Sequence, residues 1–81
     1  MREKSRAKLS YKETRELASL PKEIEALEAE QRALAAKMSG VEYFRLGAEE
    51  LRADQKRVEE IEESLMEKLE RWEGLEKKAL I

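Results

Sequence analysis

The sequence predicts an all-α fold, an antiparallel two-helix coiled-coil hairpin with an irregularity near Pro21. Two apolar stripes run through opposite halves of the chain, spaced by steps of three or four residues apart from one step of seven between Leu51 and Val58. Such a narrow seam on a helix requires a partner helix. Ala, Glu, Lys, Leu and Arg supply 56 of the 81 residues, a bias typical of long helices. The first stripe comprises Leu17, Leu20, Ile24, Leu27, Gln31, Leu34 and Met38, and the second comprises Leu51, Val58, Ile61, Leu65, Leu69, Trp72 and Leu75.

The ends of the helices follow from local signals. Ser10 and Glu13 have the spacing of a capping box, in which each side chain bonds the backbone N–H of the other residue. Gly40 is suited to a left-handed cap after the first helix. We therefore expect a basic linker from an upstream domain over 1–9 and a hairpin over 10–78, with helix 1 over 10–38, a connector over 39–47, helix 2 over 48–78 and a frayed tail over 79–81.

Pro21 interrupts the first helical pattern. Proline has no backbone N–H and disfavours helical geometry at the residue before it. Because the apolar stripe passes through Pro21 in register, we expect a kink or a 3₁₀ turn between Ala18 and Lys22, with a break into two helices as the alternative.

The connector is too short for a parallel return, so the two helices are antiparallel. Matching Met38 with Leu51 sets a constant index sum of 89 for facing residues. This register places Ile24 close to Leu65, Leu20 opposite Leu69, and Leu17 close to Trp72.

In the connector, Tyr43, Phe44 and Leu46 are too apolar for a solvated tip, so we expect them to fold over the end of the seam. Along helix 2, Glu67 and Arg71 have the spacing of an i,i+4 ion pair.

Composition excludes several kinds of chemistry. The chain has neither cysteine nor histidine, so it lacks thiolate metal ligands, disulfides and the usual neutral-pH base. Its many carboxylates are typical of a solvated helix face, because a two-helix rod has no cleft that would raise their pKa values for acid–base catalysis. There is no phosphate-binding loop, membrane span or signal-peptide core in the sequence. We expect a non-enzymatic, cytoplasmic domain without metal, cofactor or membrane contact.

The charge is unevenly distributed along the chain. Residues 1–15 carry a net charge of +4, whereas residues 16–38 carry −2 and residues 39–81 carry −4. Such a basic segment can contact phosphates, although a soluble spacer is an equally good interpretation. Trp72 lies on the seam and is assigned to the core rather than to base stacking. The predicted nucleic-acid-binding residues are six cations and one aromatic residue that could stack on bases: Arg2, Lys4, Arg6, Lys8, Tyr11, Lys12 and Arg15.

Two segments carry a family resemblance beyond coiled-coil composition. One is KLSYKETREL at 8–17, followed by Leu20 and Pro21, and the other is ERWEGLE at 70–76. In this order and spacing they resemble the C-terminal coiled-coil domain of the Uup-type ABC-F ATPases, over about Lys8 to Lys77.

The resemblance implies a soluble parent protein with two tandem ATP-binding cassettes, which acts on ribosomes during translation. It also implies that the C-terminal hairpin is associated with DNA binding and has a 3₁₀ irregularity in its first helix, at the place of Pro21 here. The basic linker of the family would correspond to Arg2 to Lys8.

The leading hypothesis is a nucleic-acid-binding accessory domain of an ABC-F ATPase, with DNA or ribosomal RNA and the ATPase domains of the same parent chain as partners. The alternative is a structural or protein-interaction coiled-coil brace without direct nucleic-acid contact. A third possibility is a helical arm of a tRNA-binding enzyme. The sequence leaves the choice between DNA, RNA and protein open.

Overall fold

The computed structural model describes residues 9–80 and confirms the antiparallel hairpin. Helix α1 spans Tyr11–Met38 and helix α2 spans Ala48–Leu80, and the connector contains a 3₁₀ turn at Tyr43–Arg45. The two helices pack along each other in a rod with extents of 65 × 16 × 16 Å. Helix α2 continues to Leu80, two residues beyond its predicted end, so the predicted frayed tail overlaps the helix.

The start of α1 has the predicted capping box. The backbone N–H of Glu13 donates to Ser10 Oγ at 3.0 Å, and the backbone N–H of Ser10 donates to Glu13 Oε1 at 2.9 Å. Two N–H groups that have no intrahelical partner are thereby satisfied, which fixes the point where the helix begins.

Helix α1 runs through Pro21 as one continuous α-helix, so neither the predicted 3₁₀ turn between Ala18 and Lys22 nor the alternative break is found, and a kink at this place stays a prediction. The helix nevertheless lacks one hydrogen bond here, because Pro21 has no N–H to donate to the carbonyl of Leu17. Leu20 and Ile24 are only 3% and 6% exposed. A break would expose both side chains, at a combined cost of about 3–6 kcal/mol, which is at least as large as the roughly 3 kcal/mol that a proline costs inside a helix.

The end of α1 differs from the predicted glycine cap. Ser39 caps the helix in right-handed geometry, and its N–H and hydroxyl both donate to the Ala35 carbonyl, at 3.0 and 2.8 Å. No glycine of the described residues has a positive φ, so Gly40 is not a left-handed cap. The carbonyls that a left-handed cap would reach are those of Ala36 and Lys37. Here they accept from the N–H groups of Ser39 and Gly40, at 3.3 and 3.2 Å, without a positive φ.

The connector covers the end of the seam with only one of its two aromatic residues. Tyr43 is 7% exposed, and its hydroxyl donates to Asp54 Oδ2 at 3.3 Å. Phe44 is 82% exposed and Leu46 is half-buried, so the prediction that all three apolar residues fold over the seam is wrong for Phe44. The next residue in a 3₁₀ turn points about 120° away from its predecessor, so neighbouring side chains cannot both face the seam.

The register agrees with the predicted pairing. Ile24 and Leu65 lie in one buried cluster with Ile61, which is fully buried. Ion pairs between the helices flank this register: Glu16 with Arg71 and Glu23 with Lys68, whose indices add to 87 and 91, on either side of the predicted 89.

One seam position was predicted incorrectly. Leu69 is 45% exposed, and the half-buried Lys68 takes its place between Leu65 and Trp72. The Lys68 ammonium reaches the edge of the seam and bonds Glu23 Oε1 at 2.8 Å. A long lysine stem can lie along apolar surface while its charge stays in water. The seam of α2 therefore keeps its spacing of three and four residues through Leu65, Lys68 and Trp72, and Leu69 lies outside it.

Charged residues at seven-residue spacing pair across the helices along one side of the rod, which we call the ion-pair edge. Arg71 bonds Glu16 at 2.8 Å, not Glu67 as predicted. Glu30 receives two hydrogen bonds from the Arg57 guanidinium, at 2.7 and 2.8 Å. Residues seven apart keep the same face in a coiled coil. The residues that form this edge are Glu16, Glu23, Glu30 and Lys37 on α1 and Glu50, Arg57, Arg71 and Lys78 on α2, together with their further partners Glu13, Asp54 and Lys68.

Candidate nucleic-acid interface

The described part of the predicted site lies where α1 begins, at the end of the rod opposite the connector, which we call the base. Tyr11, Lys12 and Arg15 are exposed on the first turns of α1. The guanidinium carbon of Arg15 lies 5.7 Å from the centroid of the Tyr11 ring, a cation–π distance. Four predicted site residues, Arg2, Lys4, Arg6 and Lys8, lie outside the described residues, and their role stays a prediction.

The geometry of Tyr11 suits contact with a flat ligand. Its side chain is 77% exposed and lies outside the apolar seam, so the ring is not needed for the core. The four-residue spacing to Arg15 places both groups on one helix face. An aromatic ring beside a guanidinium is a surface on which bases or sugars stack with little sequence preference.

The antiparallel fold adds cations to the base that sequence reasoning did not include. Lys77 and Lys78 form the basic last turn of α2, which ends beside the start of α1. Lys78 Nζ lies 2.9 and 2.8 Å from the two carboxylate oxygens of Glu13. The predicted index sum of 89 places Lys78 opposite Tyr11, two residues from Glu13, so the register brings Lys78 to this end of the rod but does not itself give the pair. Because the negative charge of Glu13 is paired with Lys78, it does not neutralise the positive charges of Lys12 and Arg15.

The same pair sets the ionisation of Glu13. The pKa of Glu13 is lowered from 4.5 to about 2. The largest cause is the hydrogen bond from Lys78, and the second largest is the hydrogen bond from the Ser10 backbone. A depressed carboxylate pKa stabilises the fold fully above the unfolded value of 4.5, and this contribution is lost as the pH falls through about 2. Glu13 therefore keeps its charge, and its cap on α1, at acidic pH values between about 2 and 4.5, where an ordinary glutamate is largely protonated.

We expect Lys78→Gln to raise the pKa of Glu13 towards 4.5, because the largest cause of its depression is removed. A carboxyl-carbon NMR titration of Glu13 measures the shift. Lys77→Gln is the matched control, since it removes the same charge from the same turn without a bond to Glu13. An equal shift in both variants, or none in either, would contradict the pairing.

The described residues lack two other kinds of site. Within residues 9–80, no group of three or more carboxylates is arranged to hold a metal ion. In the same part of the chain, neither helix combines the length and apolar character that a membrane crossing needs.

Comparison of the sequence with models of known protein families shows which family the chain belongs to. The model of the family described as ABC transporter C-terminal domain matches residues 8–77. The chain belongs to this family. No curated protein and no solved structure gives a significant match. The matched part of this ABC transporter C-terminal domain includes all of α1, the connector and α2 as far as Lys77, and the match confirms the predicted ABC parentage at the level of the family.

Proposed function

We propose that this ABC transporter C-terminal domain is a nucleic-acid-binding accessory module of an ABC-F ATPase of the Uup type. In this proposal its ligand is DNA or ribosomal RNA, and the base of the hairpin makes the contact. The catalytic steps belong to the ATPase domains of the same parent chain, which works in the cytoplasm. The observation that carries the proposal is the exposed Tyr11–Arg15 pair beside Lys12, at the end of the rod where the basic segment enters.

Electrostatics favours the base over the rest of the rod. The net charge is +4 over residues 1–15 and −4 over residues 39–81. A phosphate backbone is attracted to the first region and repelled by the second, so binding at one end of the rod follows. Contacts to phosphates carry no sequence information, and stacking on Tyr11 accepts any base. The expected binding is weak, sensitive to salt and largely independent of sequence.

The test is a titration of labelled duplex DNA and of structured RNA at two salt concentrations. A variant with Lys12→Gln, Arg15→Gln and Lys77→Gln removes three cations from the base. The matched control, with Arg32→Gln, Arg52→Gln and Lys56→Gln, removes three exposed cations nearer the connector. Both variants have the same net charge, so only the position of the removed charge differs.

We expect the base variant to bind more weakly than the control, with a salt slope shallower by about 0.9 for each phosphate that the variant no longer neutralises. Changing Arg2, Lys4, Arg6 and Lys8 to Gln as well should reduce binding further. If all six predicted cations reached phosphates, the slope of log K against log[salt] would be about −5. Equal affinity of the base and control variants, or no binding at low salt, would favour the protein-interaction brace instead.

A further inference from the structure

A groove between the helices lies on the side away from the ion-pair edge. Pro21 and Ile24 of α1 face Leu69 and Trp72 of α2 across an open groove of about 400 Å³. Leu69 is 45% exposed, and Met66, one helical turn before it, is 62% exposed. Since residues three apart share a helix face, these two side chains form a continuous apolar strip outside the seam. Large exposed apolar side chains that adjoin one another mark interaction surfaces.

Carboxylates surround this apolar floor. Glu25 and Glu28 line the groove from α1, and Glu73 and Glu76 line its continuation along α2. All four are exposed, and none takes part in the ion pairs formed among residues 9–80. Lys22 is the cation that lines the groove with them. The rim is therefore strongly negative, whereas the cross-helix cations lie at the ion-pair edge.

We propose that this groove binds a cationic amphipathic α-helix of a protein partner. Leucine-like side chains at positions i, i+3, i+4 and i+7 of such a helix would cover Leu69 and Trp72, while its flanking lysines or arginines would meet the four glutamates. The partner would pack as a third helix beside the hairpin, with the charge complementarity that steers and orients association.

Charge and composition argue against two other occupants. A nucleic acid would be repelled by the acidic rim. Residues 1–8 of this chain are basic, but Met1 and Ala7 are their only apolar side chains, which is too little to cover the strip. The groove and the base involve different residues, so this inference and the proposed nucleic-acid binding can fail separately.

The probe is a labelled 18-residue helical peptide with leucine at the amphipathic positions and lysine elsewhere, titrated by fluorescence anisotropy. One control peptide has glutamate in place of lysine, and a second has the same composition in a scrambled order. The groove variant is Glu25→Gln, Glu28→Gln, Glu73→Gln and Glu76→Gln. Its matched control is Glu49→Gln, Glu63→Gln, Glu67→Gln and Glu70→Gln, four exposed carboxylates of α2 that do not line the groove.

We expect the groove variant to bind the lysine peptide about tenfold more weakly than its matched control. Leu69→Ser should weaken binding to a similar degree, and circular dichroism should show that this change at an exposed position leaves the helices intact. Neither control peptide should bind. Equal affinity of the two charge variants would overturn the proposal, as would binding of the scrambled peptide. If sedimentation showed that this chain forms a dimer and that Leu69→Ser abolishes it, the occupant of the groove would be a second copy of the chain and not a partner helix.

Discussion

Ile61→Ala is expected to lower the free energy of unfolding by about 2–5 kcal/mol. Ile61 is fully buried in the cluster with Ile24 and Leu65, and Leu27, Leu34 and Trp72 pack against that cluster. In a two-helix rod, few other side chains can move in to fill the cavity. A chain of this length has a total stability of about 4–12 kcal/mol, so the change removes a large part of it. Urea unfolding followed by far-ultraviolet circular dichroism measures the loss.

Met66→Ala is the matched control for this prediction. Met66 lies on the same helix but is 62% exposed, so its truncation should change stability by no more than about 0.5 kcal/mol. Similar losses in the two variants would show that Ile61 is not at the centre of the core. A loss at Met66 alone would place the seam on the groove side of α2.

Pro21→Ala is expected to raise the free energy of unfolding by about 2–3 kcal/mol. Helix α1 is continuous through Pro21, and the proline is exposed, so alanine fits the same backbone and restores the hydrogen bond to the Leu17 carbonyl. The greater freedom of the unfolded alanine chain offsets about 1 kcal/mol or less of the gain. Thermal and urea unfolding of the two proteins measure the difference.

Lys22→Ala is the control, because it alters the next exposed residue of the same helix without adding a backbone donor. Its effect should stay within about 0.5 kcal/mol. Destabilisation by Pro21→Ala would contradict the continuous helix and would indicate that the proline ring itself stabilises the packing around Leu69 and Trp72.

Local patterns in the sequence determined the larger part of the fold. The alternation of apolar residues fixed two helices and their antiparallel register, because a narrow seam can be buried only against a partner with the same spacing. Ser10 and Glu13 fixed the start of α1, because the capping box depends on residues only three apart. The exposure of Tyr11 and Lys12 also followed from local position, since both precede the seam.

The tertiary structure decided features that depend on the partner helix. Leu69 and Lys68 both fit a helical stripe, and only packing against α1 brought the lysine stem into the seam and left the leucine in the groove. Pro21 stays helical because Leu20 and Ile24 on either side are buried against α2. The helix propensities of the individual residues do not include this stabilisation by packing. Lys78 joins the base because chain reversal brings it to Glu13, 65 residues away in sequence. Sequence patterns report which faces a helix can bury, whereas the choice between adjacent faces depends on the free energy of packing two surfaces together.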